Sequence, residues 1–220
     1  MTDSLEVTLH PHPTASVIWL HGLGADGRDF EPVVPMLGLS ADAPVRFVFP
    51  HAPVQPVSVN QGMPMRAWYD IYGIGAGFPQ DEPGIRRAEA LLGELVARQR
   101  ARGIAQERLV LAGFSQGGAL ALHAALRLEE PAAGVLALST WLPLAERLED
   151  EITAAGRRTP ILMMHGSDDP VVSLAVAEAS RDRLLACGCA VDWRTYPMPH
   201  TVVAPQLTVI GAWLRERLAL

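Results

Sequence analysis

The chain has 220 residues, 49% of them hydrophobic, and a formal net charge of −6. This size and apolar content suit one domain with a sizeable core over residues 1–220, and the acidic balance argues against a basic surface tracking nucleic-acid phosphates. The opening MTDSLEVTLHPHP has neither a basic leader nor a long apolar run, and no window approaches the roughly 20 apolar residues of a membrane span, so a cytoplasmic protein is expected.

In chain order, SVIWL (16–20), VRFVFP (45–50), RLVLAGF (108–114), GVLALS (134–139), ILMMH (161–165) and VDWRTY (191–196) read as strands. The middle runs are apolar throughout, as expected of strands covered on both faces. Between them, GIRRAEALLGELVARQRARG (84–103) sets Ile85, Ala88, Leu91, Leu92, Leu95 and Val96 on one stripe, and Asp81, Glu82 and Pro83 mark its start. Its arginines, Arg86, Arg87, Arg98, Arg100 and Arg102, are expected to form a solvated helix face rather than a partner site. Further helices are expected over 115–128, 173–186 and 205–218. Strands alternating with helices at this spacing predict right-handed βαβ units, a mainly parallel sheet and helices on both faces. The stretch 51–83 is dense in Pro and Gly and reads as one long connection of the kind that is functional or mobile.

Cys187 and Cys189 are separated by one residue, so a bridge between them has poor geometry, and both are expected as free thiols. No second ligand pair accompanies them at a zinc-binding spacing, so no metal is expected.

The segment LVLAGFSQGGALAL (109–122) places Ser115 between glycines at the end of a strand and the start of a helix. A βα junction bent sharply at one residue crowds its neighbours. Gly113 and Gly117 relieve the crowding and hold the Ser115 hydroxyl out at the carboxyl edge of the sheet. A serine hydroxyl needs a base to become a nucleophile. Among seven histidines, His10 and His12 lie in a polar terminal segment, and His123 lies two turns down the helix. His51 and His165 end strands, a position that suits either a place near the site or structural bonding to loop backbone. His200, on the loop after the last strand, can reach the serine. Asp168 and Asp169, after the preceding strand, offer the carboxylate that orients an imidazole, Asp169 being the favoured one. The chain order Ser, Asp, His is that of an α/β-hydrolase. Two amides are expected to form the oxyanion hole: that of Gln116, directly after the serine, and that of Leu23 in WLHGLGADGRDF (19–30). A phosphate cradle at this glycine loop would need the Lys and Ser/Thr of a P-loop, which are absent.

LHGLGADGRDF, RAWYDI, GFSQGGALAL, HGSDDPVV and YPMPH, in this order and spacing, resemble the bacterial carboxylesterases and acyl-protein thioesterases of the phospholipase/carboxylesterase family, over almost the whole chain. The resemblance implies an α/β-hydrolase fold with little or no cap domain. It also implies hydrolysis of carboxylic esters, lysophospholipids or acyl thioesters without a cofactor. It selects Asp169, which precedes proline in H-G-x-x-D-P, and it matches Ser115, His200, Leu23 and Gln116 to their expected roles. It also allows a homodimer, although no heptad or apolar stripe specifies one. Pro199 stands before the histidine where many relatives have glycine, so a stiffer histidine loop is expected. Met63, Met65, Trp68, Tyr69, Trp141, Leu142 and Val172 are the expected apolar walls for an acyl ester substrate. Two rival readings are a non-catalytic binder and a dienelactone-hydrolase-like or peptidase activity on the same fold.

Overall fold

The computed structural model describes residues 3–75 and 77–220. Six parallel strands form the body of a seven-stranded sheet: β2 (Ala15–Leu20), β3 (Val45–Pro50), β6 (Leu109–Phe114), β7 (Gly134–Leu138), β8 (Ile161–Gly166) and β9 (Val191–Tyr196). With the edge strand β1 (Ser4–Thr8) the order is β1-β3-β2-β6-β7-β8-β9, and β1 alone runs antiparallel, Leu5 lying opposite Phe49. All six expected strands are present. β1 was not expected, although Leu5 and Val7 alternate with polar neighbours and pack on the core as a half-buried edge strand should.

Side chains alternate across the central strands. Ile18, Leu20, Leu109, Leu111, Val135, Ala137, Ile161 and Met163 face one layer, and Val17, Trp19, Val110, Ala112, Leu136, Leu138, Leu162 and Met164 face the other. The first layer is covered by α1 (Glu82–Ala101), α2 (Gln116–Ala125) and α5 (Leu174–Ala186). The second is covered by α6 (Ala204–Leu218), through Leu207, Ile210, Leu214 and Leu218, and by a 3-10 helix over Glu31–Leu37. Burial on both faces is the reason β2, β6, β7 and β8 are apolar apart from Ser16 and His165.

Helix α1 begins two residues earlier than expected because Asp81 is its N-cap, its carboxylate accepting from the Gly84 amide at 3.0 Å. Gly103, at φ 87, follows its end in the left-handed conformation that stops a helix. Helix α2 ends at Ala125 rather than 128. Two short helices, α3 (Leu148–Glu151) and α4 (Ala154–Arg158), lie in the β7–β8 connection. The 51–83 stretch is more ordered than expected: it contains an antiparallel hairpin of β4 (Val54–Val57) and β5 (Met63–Arg66). Among the described residues, no helix is long and apolar enough to cross a membrane. Cys187 and Cys189 are free and buried.

Candidate active site

Ser115 sits at the turn from β6 into α2 with φ 52 and ψ −121, a conformation costly for any residue with a Cβ. The surrounding backbone holds it there. Its amide donates to the Leu138 carbonyl at 2.9 Å, and its carbonyl accepts from the Ala119 amide at 3.0 Å and the Thr140 hydroxyl at 2.6 Å. A Cβ on Gly117 would stand 2.4 Å from the Leu20 carbonyl oxygen, so strand β2 approaches where only glycine fits.

Asp169 and His200 meet from two other loops. The His200 Nδ1–H donates to Asp169 Oδ2 at 2.7 Å, while Asp169 Oδ1 accepts from the Val171 and Val172 amides, both at 2.9 Å. The carboxylate is therefore fixed by its own loop before it orients the imidazole. Asp168 is exposed. The His200 ring also lies 4.7 Å from that of Phe114, centroid to centroid. Ser115 and His200 line the same cavity of about 230 Å³. Among the described residues no hydrogen bond joins their side chains, and contacts of this kind often tighten only around a bound substrate.

The glycine loop after β2 is tied down through His21. Its Nδ1–H donates to the Gly22 carbonyl at 2.7 Å, and its Nε2 accepts from the Ala52 amide at 3.0 Å. Burial holds this imidazole below its ordinary pKa, so the neutral ring that the two bonds require is the favoured form. Trp68 Nε1–H donates to the His21 carbonyl at 2.9 Å. The Gln116 side chain accepts from the Trp68 amide at 3.0 Å and donates to the Tyr69 carbonyl at 2.7 Å, locking the nucleophile turn to the 66–71 segment. Among the described residues, neither the Leu23 nor the Gln116 amide donates to a protein acceptor, and Leu23 lines the cavity.

The remaining histidines have structural partners. His51 Nδ1 accepts from the Gly27 amide at 3.1 Å, and buried His123 Nε2–H donates to Glu89 at 3.0 Å. His165 Nε2–H donates to the Val172 carbonyl at 2.9 Å and lies 3.6 Å from Asp169 Oδ2. This places it behind the carboxylate rather than at the nucleophile.

The cavity wall differs from the expected one. Leu23, Ala25, Ile71, Ile74, Phe114 and Val171 supply its apolar surface, and Gly22 and Asp29 complete it beside Ser115 and His200. Trp68, Tyr69 and Val172 are buried in the core instead, because their polar groups are needed to hold neighbouring loops. Met63 is 62% exposed on β5, and the Met65 sulfur accepts from Asn60 beside Gly24. Trp141 and Leu142 line a second, mainly apolar cavity of about 380 Å³ with Gly73, Phe78 and Val176. Ile71 and Ile74 border the first cavity, and Gly73, Gly75 and Phe78 border the second.

Residues 7–217 match the family model described as phospholipase/carboxylesterase. Acyl-protein thioesterase 1 of Gibberella zeae is 38% identical over 214 residues, covering 93% of this chain and 91% of that protein. The crystal structure of Arabidopsis thaliana SOBER1 superposes with a TM-score of 0.88 at 31% identity, covering 93% of this chain and 99% of that one. That of Zea mays acyl-protein thioesterase 2 superposes with a TM-score of 0.88 at 27% identity, covering 99% and 100%. With the elbow serine, the sheet order and these likenesses in agreement, the chain belongs to the phospholipase/carboxylesterase family of α/β-hydrolases and is a serine hydrolase acting on acyl esters.

Proposed function

We propose that the whole chain is one hydrolase domain whose Ser115, His200 and Asp169 form the catalytic triad and whose Leu23 and Gln116 amides form the oxyanion hole. The observation that carries this reading is the 2.7 Å bond from His200 Nδ1–H to Asp169, made by an imidazole that shares a cavity with the strained serine.

In the first half-reaction His200 Nε2 takes the hydroxyl proton as Ser115 Oγ bonds to the acyl carbon of an ester or thioester. The two free amides hold the oxyanion. Collapse breaks the bond to the alcohol or thiol, which leaves with the proton from His200. Water then attacks the acyl-enzyme by the same proton route and releases the acid. Asp169 stays ionised and holds the imidazole in the tautomer whose Nε2 can accept. The apolar wall of Ile71, Ile74, Phe114 and Val171 suits an acyl group, and Ile74, between Gly73 and Gly75 of the second cavity, directs a longer chain toward Trp141.

Ser115→Ala tests the reading. Its turnover of a short acyl ester should fall by about three orders of magnitude or more while the fold is kept, and a serine-directed phosphonate should label Ser115 in the parent and nothing in the variant. Undiminished esterase activity in Ser115→Ala would overturn it.

A further inference from the structure

We infer that Asp29 gives this site a preference for acyl esters and thioesters whose alcohol or thiol part carries a positive charge. The inference rests on the triad reading and adds the electrical character of the substrate to it. Asp29 lines the same cavity as Ser115 and His200, and every other lining side chain except the His200 imidazole and the Ser115 hydroxyl is apolar or absent.

Two acidic residues lie on this loop, and their surroundings differ. The Asp26 carboxylate accepts from the Arg28 amide at 2.7 Å and has the Arg28 guanidinium 3.8 Å away, so its charge is answered locally. The Asp29 amide closes the turn onto the Asp26 carbonyl at 3.1 Å. Among the described residues, the Asp29 side chain makes no hydrogen bond and no ion pair, and no arginine or lysine lines the cavity with it. The wall facing the reacting carbonyl thus carries one unneutralised negative charge against a low-polarity background.

Such a charge attracts a cationic group and repels an anionic one, and the apolar wall strengthens the effect relative to open water. Asp29 is exposed, so the effect is modest and sensitive to salt. The chemistry it selects is an ammonium or guanidinium borne by the leaving group. That group can belong to a small quaternary-amine ester or to basic residues beside an acylated cysteine in a peptide.

Matched pairs of substrates test this. Butyrylcholine and 3,3-dimethylbutyl butyrate share a shape and differ by one charge, and an S-butyryl-cysteine peptide can carry either lysine or norleucine on both flanks. We expect kcat/KM to favour the cationic member of at least one pair by about fivefold at low salt. That ratio should fall toward one in Asp29→Asn, persist in Asp29→Glu and shrink in the parent as salt is raised to about 0.5 M. The pair that shows the preference identifies the source of the cation. Because each ratio compares two substrates on one enzyme, a general loss of activity cancels, and the salt series on the parent stands even where a variant does not fold. An active enzyme with ratios near one in both pairs, or a ratio retained in Asp29→Asn, overturns the preference. Turnover of the neutral ester by Ser115→Ala would instead overturn the triad.

Discussion

A Cβ placed on Gly113 would stand 2.3 Å from the carbonyl carbon of Gly117 and 2.5 Å from the Gly118 amide nitrogen. Both obstacles are backbone, so no side-chain rotation relieves the clash, and strand β6 would have to part from helix α2 at the residue that carries the nucleophile. Gly113→Ala should therefore lose about 3 kcal/mol of stability, read from urea unfolding, and esterase activity should fall with it. A variant within about 0.5 kcal/mol of the parent would show that the turn has slack the structure does not display.

Gln116 is expected to matter twice, through its amide at the reacting oxygen and through its side chain. Gln116→Ala removes the partners of the Trp68 amide and the Tyr69 carbonyl, both on buried residues. Leaving these groups unpaired should cost about 2 kcal/mol or more and release the segment that leads to Ile71. Gln116→Glu keeps an acceptor for Trp68 but sets an oxygen against the Tyr69 carbonyl, so it should not restore the parent melting temperature. Full restoration by glutamate would show that only the acceptor matters.

His165 backs the Asp169 loop, through its donor to the Val172 carbonyl and its 3.6 Å approach to Asp169. In His165→Leu the loop over 169–172 loses that anchor, and kcat should drop severalfold through the loosened Asp169, with a smaller rise in KM because Val171 of the same loop lines the cavity. His165→Gln supplies an amide donor near the position of Nε2 and should recover part of the loss. Equal damage in both variants would mean that ring packing against Trp193, rather than the hydrogen bond, is what counts.

Burial holds His21, His123 and His165 below the ordinary imidazole pKa of about 6.5. The unfolded chain then binds more protons than the native one once pH falls below that value. Their contribution is complete above about pH 6.5 and is lost progressively below it, down toward the depressed native values, with a slope of up to about 1.4 kcal/mol per pH unit for each ring. Burial alone would raise the Glu151 carboxyl, but hydrogen bonds from Arg86 and Arg127 outweigh it and bring it to about 2, so a second loss should follow between about pH 4.5 and 2. Urea midpoints measured at pH 7.5 and 5.5 check the first window, and an unchanged midpoint would contradict the buried neutral rings.

Chain-length dependence reports on the second cavity. If a long acyl chain runs past Ile74 into the cavity lined by Gly73, Gly75 and Trp141, Trp141→Ala should alter kcat/KM for long acyl esters by about tenfold while short esters change less than twofold. A uniform effect across chain lengths would assign Trp141 to support of Gly73, Gly75 and Phe78 instead.

The sequence by itself determined the parallel sheet and the nucleophile turn, because both are written in local periods: apolar runs covered on two faces, and glycines spaced around Ser115. It also carried the pairing of His200 with Asp169, since both stand on loops after strands whose carboxyl ends share one edge. It did not carry the pocket wall. Trp68 and Tyr69 look like acyl contacts in the chain, yet their backbone groups bond to Gln116 and draw them into the core, leaving Ile71, Ile74 and Val171 at the cavity. Which member of such a stretch faces the substrate depends on contacts between residues about fifty positions apart, such as Gln116 with Trp68. Local patterning holds no record of those distances, so only the tertiary structure decides them.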